Sequence, residues 1–131
     1  MIDDKTKPKT IFCDIDGTLT EHPNTAQDIS KYNLNQEMRV LPGTRDKLWE
    51  WDSKCYNIIL TTGRKEGMRK STEDQLRKAG IIYDQLIMGL GPGERILIND
   101  SKPKGLNTAL AINLERDIGL SKIAFTIDDS I

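Results

Sequence analysis

Two aspartates one residue apart, Asp14 and Asp16, close an apolar run in the stretch TIFCDIDGTLT and are followed at once by Gly17 and Thr18. Alternation along a strand directs residues i and i+2 to one side, so the two carboxylates share a side unless the departing chain separates them. Crowded carboxylates repel, and a divalent cation relieves the repulsion; Mg2+ suits a shell of carboxylate, water and substrate phosphate. The chemistry open to such a pair is phosphoryl transfer. One ionised Asp attacks phosphorus, and the second protonates the leaving oxygen and then activates water. Gly17 permits close approach or a positive φ, and backbone N–H groups beside it, with a threonine hydroxyl, could hold the non-bridging oxygens. Asp-X-Asp at a strand end is also an ordinary turn signal. The rest of the chain has to decide between the two readings.

Two further apolar runs end in chemistry-bearing residues. YNIILTTGR closes on Thr61, Thr62, Gly63 and Arg64, and RILIND closes on Asn99 and Asp100, a third carboxylate. Between the runs lie helical periods: Thr44, Leu48, Trp51 and Cys55; then Met68, Thr72, Leu76 and Ala79 before Gly80; then Leu106, Leu110, Leu114 and Ile118 before Gly119. Trp49 falls off the first helical face. A strand is expected from about Gln85 to Met88, and KIAFTI reads as the last one. Strands alternating with helices predict an α/β fold, a three-layer Rossmann-like, mainly parallel sheet of about five strands with helices on both faces. Ligands in such sheets sit at the carboxyl ends of the strands, near a switch in strand order, and the three best strand endings carry Asp14 with Asp16, Thr61 and Thr62 with Arg64, and Asn99 with Asp100.

The 131 residues fit one domain. With 19 basic and 20 acidic residues and no long run of either sign, the chain is not a scaffold that holds nucleic acid by bulk phosphate neutralisation, although folding could assemble a local basic patch. Cys13 and Cys55, the two cysteines, read as buried free thiols of a reducing compartment. Neither a secretory apolar region nor an eighteen-residue apolar stretch occurs, so the expectation is a cytoplasmic protein without a membrane segment.

DIDGT after an apolar strand resembles the nucleophile motif of the haloacid dehalogenase-like hydrolase superfamily, mostly Mg2+-dependent phosphatases that act through an aspartyl-phosphate. IILTTGR resembles its second motif and ILIND its last acidic motif, and the resemblance runs from Thr10 to about Ile127. It implies Asp14 as nucleophile, Asp16 as general acid and base, and Thr62 as the oxygen-binding hydroxyl, with Thr61 the alternative register. It implies a metal held by the Asp14 side chain, the Asp16 carbonyl and Asp100, with Gly17, Thr18, Gly63 and Arg64 lining the phosphate site. Arg64 could equally pair with an acid at the rim. The family's neutralising base has no unambiguous match: Lys102 is favoured, Arg95 follows closely and is also a substrate-contact candidate, and Lys78 and Lys104 are the alternatives. Asn99 before Asp100 gives the last motif less negative charge than in many relatives. A competing acidic pair, Asp128 and Asp129, is better read as a polar terminus.

Only a flap or small insertion, at about 19–41, interrupts the fold, so the resemblance implies a capless member. His22 and Glu21 lie in that flap and read as solvated residues. LTTGRKE and YDQLIMG resemble small phosphatases of sugar or capsular polysaccharide synthesis, which implies a phosphorylated small molecule, such as a sugar phosphate, as substrate. A polynucleotide 3′-phosphatase, a phosphotransferase and a catalytically weak interaction domain are the alternatives. An open site and the off-face Trp49 also allow a homo-oligomer.

Overall fold

The computed structural model describes residues 7–23 and 37–123. Its elements are β1 (Thr10–Asp14), α1 (Thr44–Ser53), β2 (Asn57–Thr61), a short 3-10 turn (Glu66–Met68), α2 (Arg69–Lys78) and β3 (Gln85–Ile87). The strands form a parallel sheet in the order β1-β2-β3. Phe12 pairs with Ile59, Asp14 with Thr61, and Thr61 in turn with Ile87. The result is a small α/β fold with a parallel sheet flanked by helices.

Alternation along the strands sorts the side chains into two faces. Cys13, Ile58, Leu60 and Leu86 turn into the core, where they meet Leu48 and Trp51 of α1 and Leu76 of α2. Leu48, Leu60 and Leu76 are fully buried. The helical periods read from the sequence produce this result: Thr44, Leu48 and Trp51 are the buried residues of α1, and Thr72, Gln75 and Leu76 those of α2. Gly80 leaves α2 at φ +73°, the left-handed conformation that glycine adopts without a Cβ clash.

Four expectations are corrected. Three strands, not five, occur among the described residues, and they run in sequence order, so no switch in strand order lies beside Asp14. Residues 95–100 are extended and exposed rather than paired, with Ile96 and Ile98 at 85% and 90% exposure. Residues 106–118 are not helical, and Leu110 and Ile118 are exposed. The second face of the sheet, where that helix would have packed, keeps Phe12 and Ile87 exposed. Cys55 lies beyond α1 at φ +63° and is exposed, whereas Cys13 is buried. Residues 124–127 of the expected last strand are outside the described residues.

Local hydrogen bonding accounts for the difference at 95–108. The Thr108 hydroxyl donates to the Asp100 carbonyl and accepts from the Asn99 amide at 2.8 Å. Lys102 N–H donates to Leu106 O at 2.9 Å, and Gly105 N–H to Lys102 O at 2.7 Å. Asn and Thr side chains thereby give the backbone a turn in place of strand and helix.

The flap is closed at its base. Glu21 N–H donates to Arg39 O at 2.8 Å, Leu41 N–H to Leu19 O at 2.9 Å, and the Thr44 hydroxyl to Leu19 O at 2.8 Å. No helix among the described residues is long and apolar enough to cross a membrane.

These burial patterns set a contrast measurable by urea denaturation. Leu60→Ala is expected to cost about 2–5 kcal/mol, the range for a fully buried leucine. Ile98→Ala should stay within about 0.5 kcal/mol of wild type, as for an exposed position.

Candidate active site

Asp14 is the last residue of β1 and lies in register with Thr61, the last of β2. Residues in register stand on one face of the sheet, so Thr61 shares its face with Asp14. Asp14 retains solvent access. Its carboxyl nonetheless sits above its ordinary pKa, first because it has lost hydration and also because Asp16 is close; the Ile15 N–H, Arg95 and His22 act in the opposite direction. A carboxyl whose pKa rises on folding binds protons more tightly in the native state. Stability linked to Asp14 is therefore greatest at low pH and falls as pH climbs through the raised value.

Asp16 lies just past the strand and faces a buried partner. The Arg64 guanidinium donates through Nε to Asp16 Oδ2 at 3.1 Å and through Nη2 to Oδ1 at 2.9 Å. Its Nη1 donates to Gln75 Oε1 at 2.9 Å and to the Thr72 hydroxyl at 3.1 Å, both on α2. The two charged side chains are 5% and 9% exposed, so this is a buried, bidentate pair. Of the two uses open to Arg64 in the sequence, pairing with an acid is the one the structure displays.

Thr62 is buried, and its hydroxyl accepts the Arg64 N–H at 3.1 Å, which leaves its own proton to donate. The backbone at Gly63 passes close to the next loop: a Cβ there would lie 3.1 Å from Gly91 O. Gly17 takes φ +89°. Its N–H donates to Thr20 O at 2.7 Å, and the N–H groups of Thr18, Leu19 and Thr20 all donate to Ile15 O at 2.9–3.1 Å. The donors expected to face a phosphate are thus already engaged inside the turn.

The remaining candidates divide. Arg95 is close enough to act on the Asp14 carboxyl, while its Nη1 donates to Gly93 O at 2.6 Å. Lys102 is half-buried in the 102–106 turn, and Lys78 and Lys104 are exposed. Asp100 is exposed on the unpaired segment. Among the described residues no group of three His, Cys, Asp or Glu side chains could hold a metal ion. Asp14 and the Asp16 main chain stand together at the end of β1, and Asp100 lies on the exposed segment 95–100.

Sequence reasoning did not select Arg116 and Asp117, and treated His22 as solvated. Asp117 N–H donates to Gly17 O at 2.8 Å, and Asp117 Oδ1 accepts the His22 N–H at 2.8 Å. The helical period read across 106–118 concealed them. Asp117 has φ +67°, which no helix contains.

No family model matches the sequence, and no curated protein matches it. Solved structures do. The chain is similar to a chain of the Pnkp1/Rnl/Hen1 RNA repair complex. In one structure of that complex the identity is 30% and the TM-score 0.52, over 67% of this chain and 28% of the other. In another the identity is 28% and the TM-score 0.54, over 73% and 33%. The chain thus spans about a third or less of each of these two chains.

The Arg64–Asp16 pair is testable by a double-mutant cycle in urea. Arg64→Ala should cost about 3–5 kcal/mol, because it strands a buried carboxylate. Adding Asp16→Asn should return a large part of that loss, and strictly additive losses would contradict the coupling.

Proposed function

We propose that the chain is a phosphomonoester hydrolase that works through a phosphorylated Asp14. The observation that carries this reading is the placement, at the carboxyl ends of β1 and β2, of a reachable, desolvated carboxylate in register with Thr61 and an adjacent carboxylate fixed through both oxygens by a buried arginine whose own N–H bonds the Thr62 hydroxyl. A turn alone needs no buried Arg64. The motifs DIDGT and LTTGR of the haloacid dehalogenase-like hydrolases fall on these residues, and the likeness in fold supports the same assignment.

Asp14 attacks phosphorus as the bond to the leaving oxygen breaks, and Asp16, a carboxylate before substrate arrives, takes the proton carried by the phosphate monoanion and passes it to that oxygen. In the second half a water attacks the phosphoryl group on Asp14 and gives its proton to Asp16, which hands it to the departing phosphate, so both residues return to carboxylates. Arg64 holds Asp16 at a fixed angle for both transfers, and two of the carboxylate's four lone-pair sites stay available for the proton. Thr62 donates its hydroxyl proton to a phosphate oxygen; the register with Asp14 favours Thr61 as a second reading. Arg95 offsets charge on Asp14 and on the phosphate, a role the sequence alone gave first to Lys102.

Mg2+ would be held by the Asp14 carboxylate and the Asp16 carbonyl together with the substrate phosphate, and would supply charge neutralisation there. Asp100 would be the third ligand. Of the substrate classes, the likeness to a chain of an RNA repair complex supports a phosphorylated nucleic-acid end, while a sugar phosphate rests on the wording of the second motif. The same residues would serve a phosphotransferase, which product analysis with an added acceptor distinguishes.

A panel of sugar phosphates, nucleotides and 3′-phosphorylated oligonucleotides, run with Mg2+ and with EDTA, tests the reading, and Thr61→Val and Thr62→Val in the same panel identify the donor hydroxyl. Asp14→Asn should abolish phosphate release while thermal stability at pH 7 stays equal to or above wild type. Undiminished release from that variant removes Asp14 as the nucleophile. Arg95→Gln should move the acid limb of kcat/KM to higher pH, because Asp14 must be ionised to attack and loses a cation that lowers its pKa. An unmoved limb contradicts the role of Arg95.

A further inference from the structure

Residues 116–120 are tied to the catalytic strand end at two levels. Asp117 bonds both sides of the turn that follows Asp16, its N–H to the Gly17 carbonyl and its carboxylate to the His22 N–H, each at 2.8 Å. Three residues on, Leu120 N–H donates to Pro42 O at 2.8 Å and the Leu120 side chain is buried in the core. Gly119 has φ +90°, and a Cβ there would overlap the Pro42 carbonyl oxygen. Asp117 holds a left-handed φ of +67°, which few residues other than glycine, asparagine and aspartate adopt. The segment is fixed, not a loose arm.

This anchoring sets Arg116 against the phosphate-side turn. A Cβ on Gly17 would lie 3.2 Å from Arg116 Cγ and 3.5 Å from His22 Cδ2, so both side chains converge on that glycine. Arg116 is exposed, and its guanidinium lies beyond Cδ, within one side-chain length of the turn. The N–H groups of residues 17–20 are engaged internally. The N–H groups of this turn are therefore not free for an anion, and the cationic side chain beside it is that of Arg116.

We propose that Arg116, held in place by Asp117, binds a second phosphate group of the substrate, next to the one that reacts at Asp14. This deepens the phosphatase reading and rests on it. A charge-assisted bond from the guanidinium to phosphate has fork geometry available. The second phosphate belongs either to a bisphosphorylated small molecule or to the phosphodiester adjacent to a phosphorylated nucleic-acid end.

The test compares paired probes: glucose 1-phosphate with glucose 1,6-bisphosphate, and thymidine 3′-monophosphate with a 3′-phosphorylated dinucleotide. In each arm the ratio of kcat/KM for the probe with two phosphates over that with one is the readout. Wild type should prefer the two-phosphate probe in at least one arm, and which arm identifies the source. Arg116→Ala should lower that ratio at least about tenfold, a loss of the size expected for one charged hydrogen bond. Asp117→Asn, which keeps the acceptor oxygen, should preserve the ratio, and Asp117→Gly, which keeps the backbone conformation but loses the bond to His22, should lower it. A ratio indifferent to Arg116→Ala overturns the proposal, as does a wild type without preference. The same ratio read as dissociation constants by calorimetry on Asp14→Asn requires no turnover. An inactive wild type whose Asp14→Asn form still binds the two-phosphate probe more tightly, in an Arg116-dependent way, refutes hydrolysis and keeps the anion contact; equal binding of both probes refutes the contact.

Discussion

The buried pairing of Arg64 with Asp16 is the constraint on which the rest of the site depends. Arg64 leaves the end of β2, reaches across to the loop after β1, and spends its remaining N–H groups on Thr72 and Gln75 of α2. Three separate segments are thereby fixed by one planar group. An ion pair so deeply buried adds little net stability, since desolvation offsets much of the attraction. Its effect is to fix an angle: with both oxygens held, the Asp16 carboxylate has one orientation relative to Asp14, and Thr62 is locked below it by the Arg64 N–H. Lysine, with a single point of charge, could not make the two parallel bonds.

The electrostatics of the pocket follow from that arrangement. Arg64 compensates Asp16, and Asp14 is left as the acid whose charge is imperfectly solvated. Arg95 and His22 temper it from outside the strand end. The turn at residues 17–20 contributes shape, because its N–H groups close on Ile15 and Thr20. The cations beside this strand end belong to distant parts of the chain, Arg95 after β3 and Arg116, whose Cγ lies close to Gly17.

Much of this was legible in the sequence wherever the signal was local. Steps of three and four through Thr44, Leu48 and Trp51, and through Thr72 and Leu76, identify helices because one buried stripe suffices to hold each. The runs ending at Asp14 and Thr61 identify strands because each finds a neighbour in register. The same reasoning fails at RILIND, where apolar alternation states only a propensity: without a paired edge, Ile96 and Ile98 stay in water and the Asn99, Asp100 and Thr108 groups bond one another. Steps of four through Leu106, Leu110, Leu114 and Ile118 mark no helix either, and they hid Asp117, whose left-handed backbone leaves no trace in composition. Arg64 could be seen as a candidate, but its choice between substrate and Asp16 depended on burial, which only the fold decides.

The account turns on a covalent phosphoryl group on Asp14, and acid-quenched mass spectrometry reads it directly. Enzyme mixed with excess phosphorylated substrate and Mg2+, quenched within the first turnovers and digested, should show a phosphoryl group on the peptide that contains Asp14. That signal should be lost in the Asp14→Asn variant and should decay in wild type as substrate is exhausted. Steady phosphate release with no phosphorylated peptide at any quench time, or a phosphoryl group located on another residue, would contradict it.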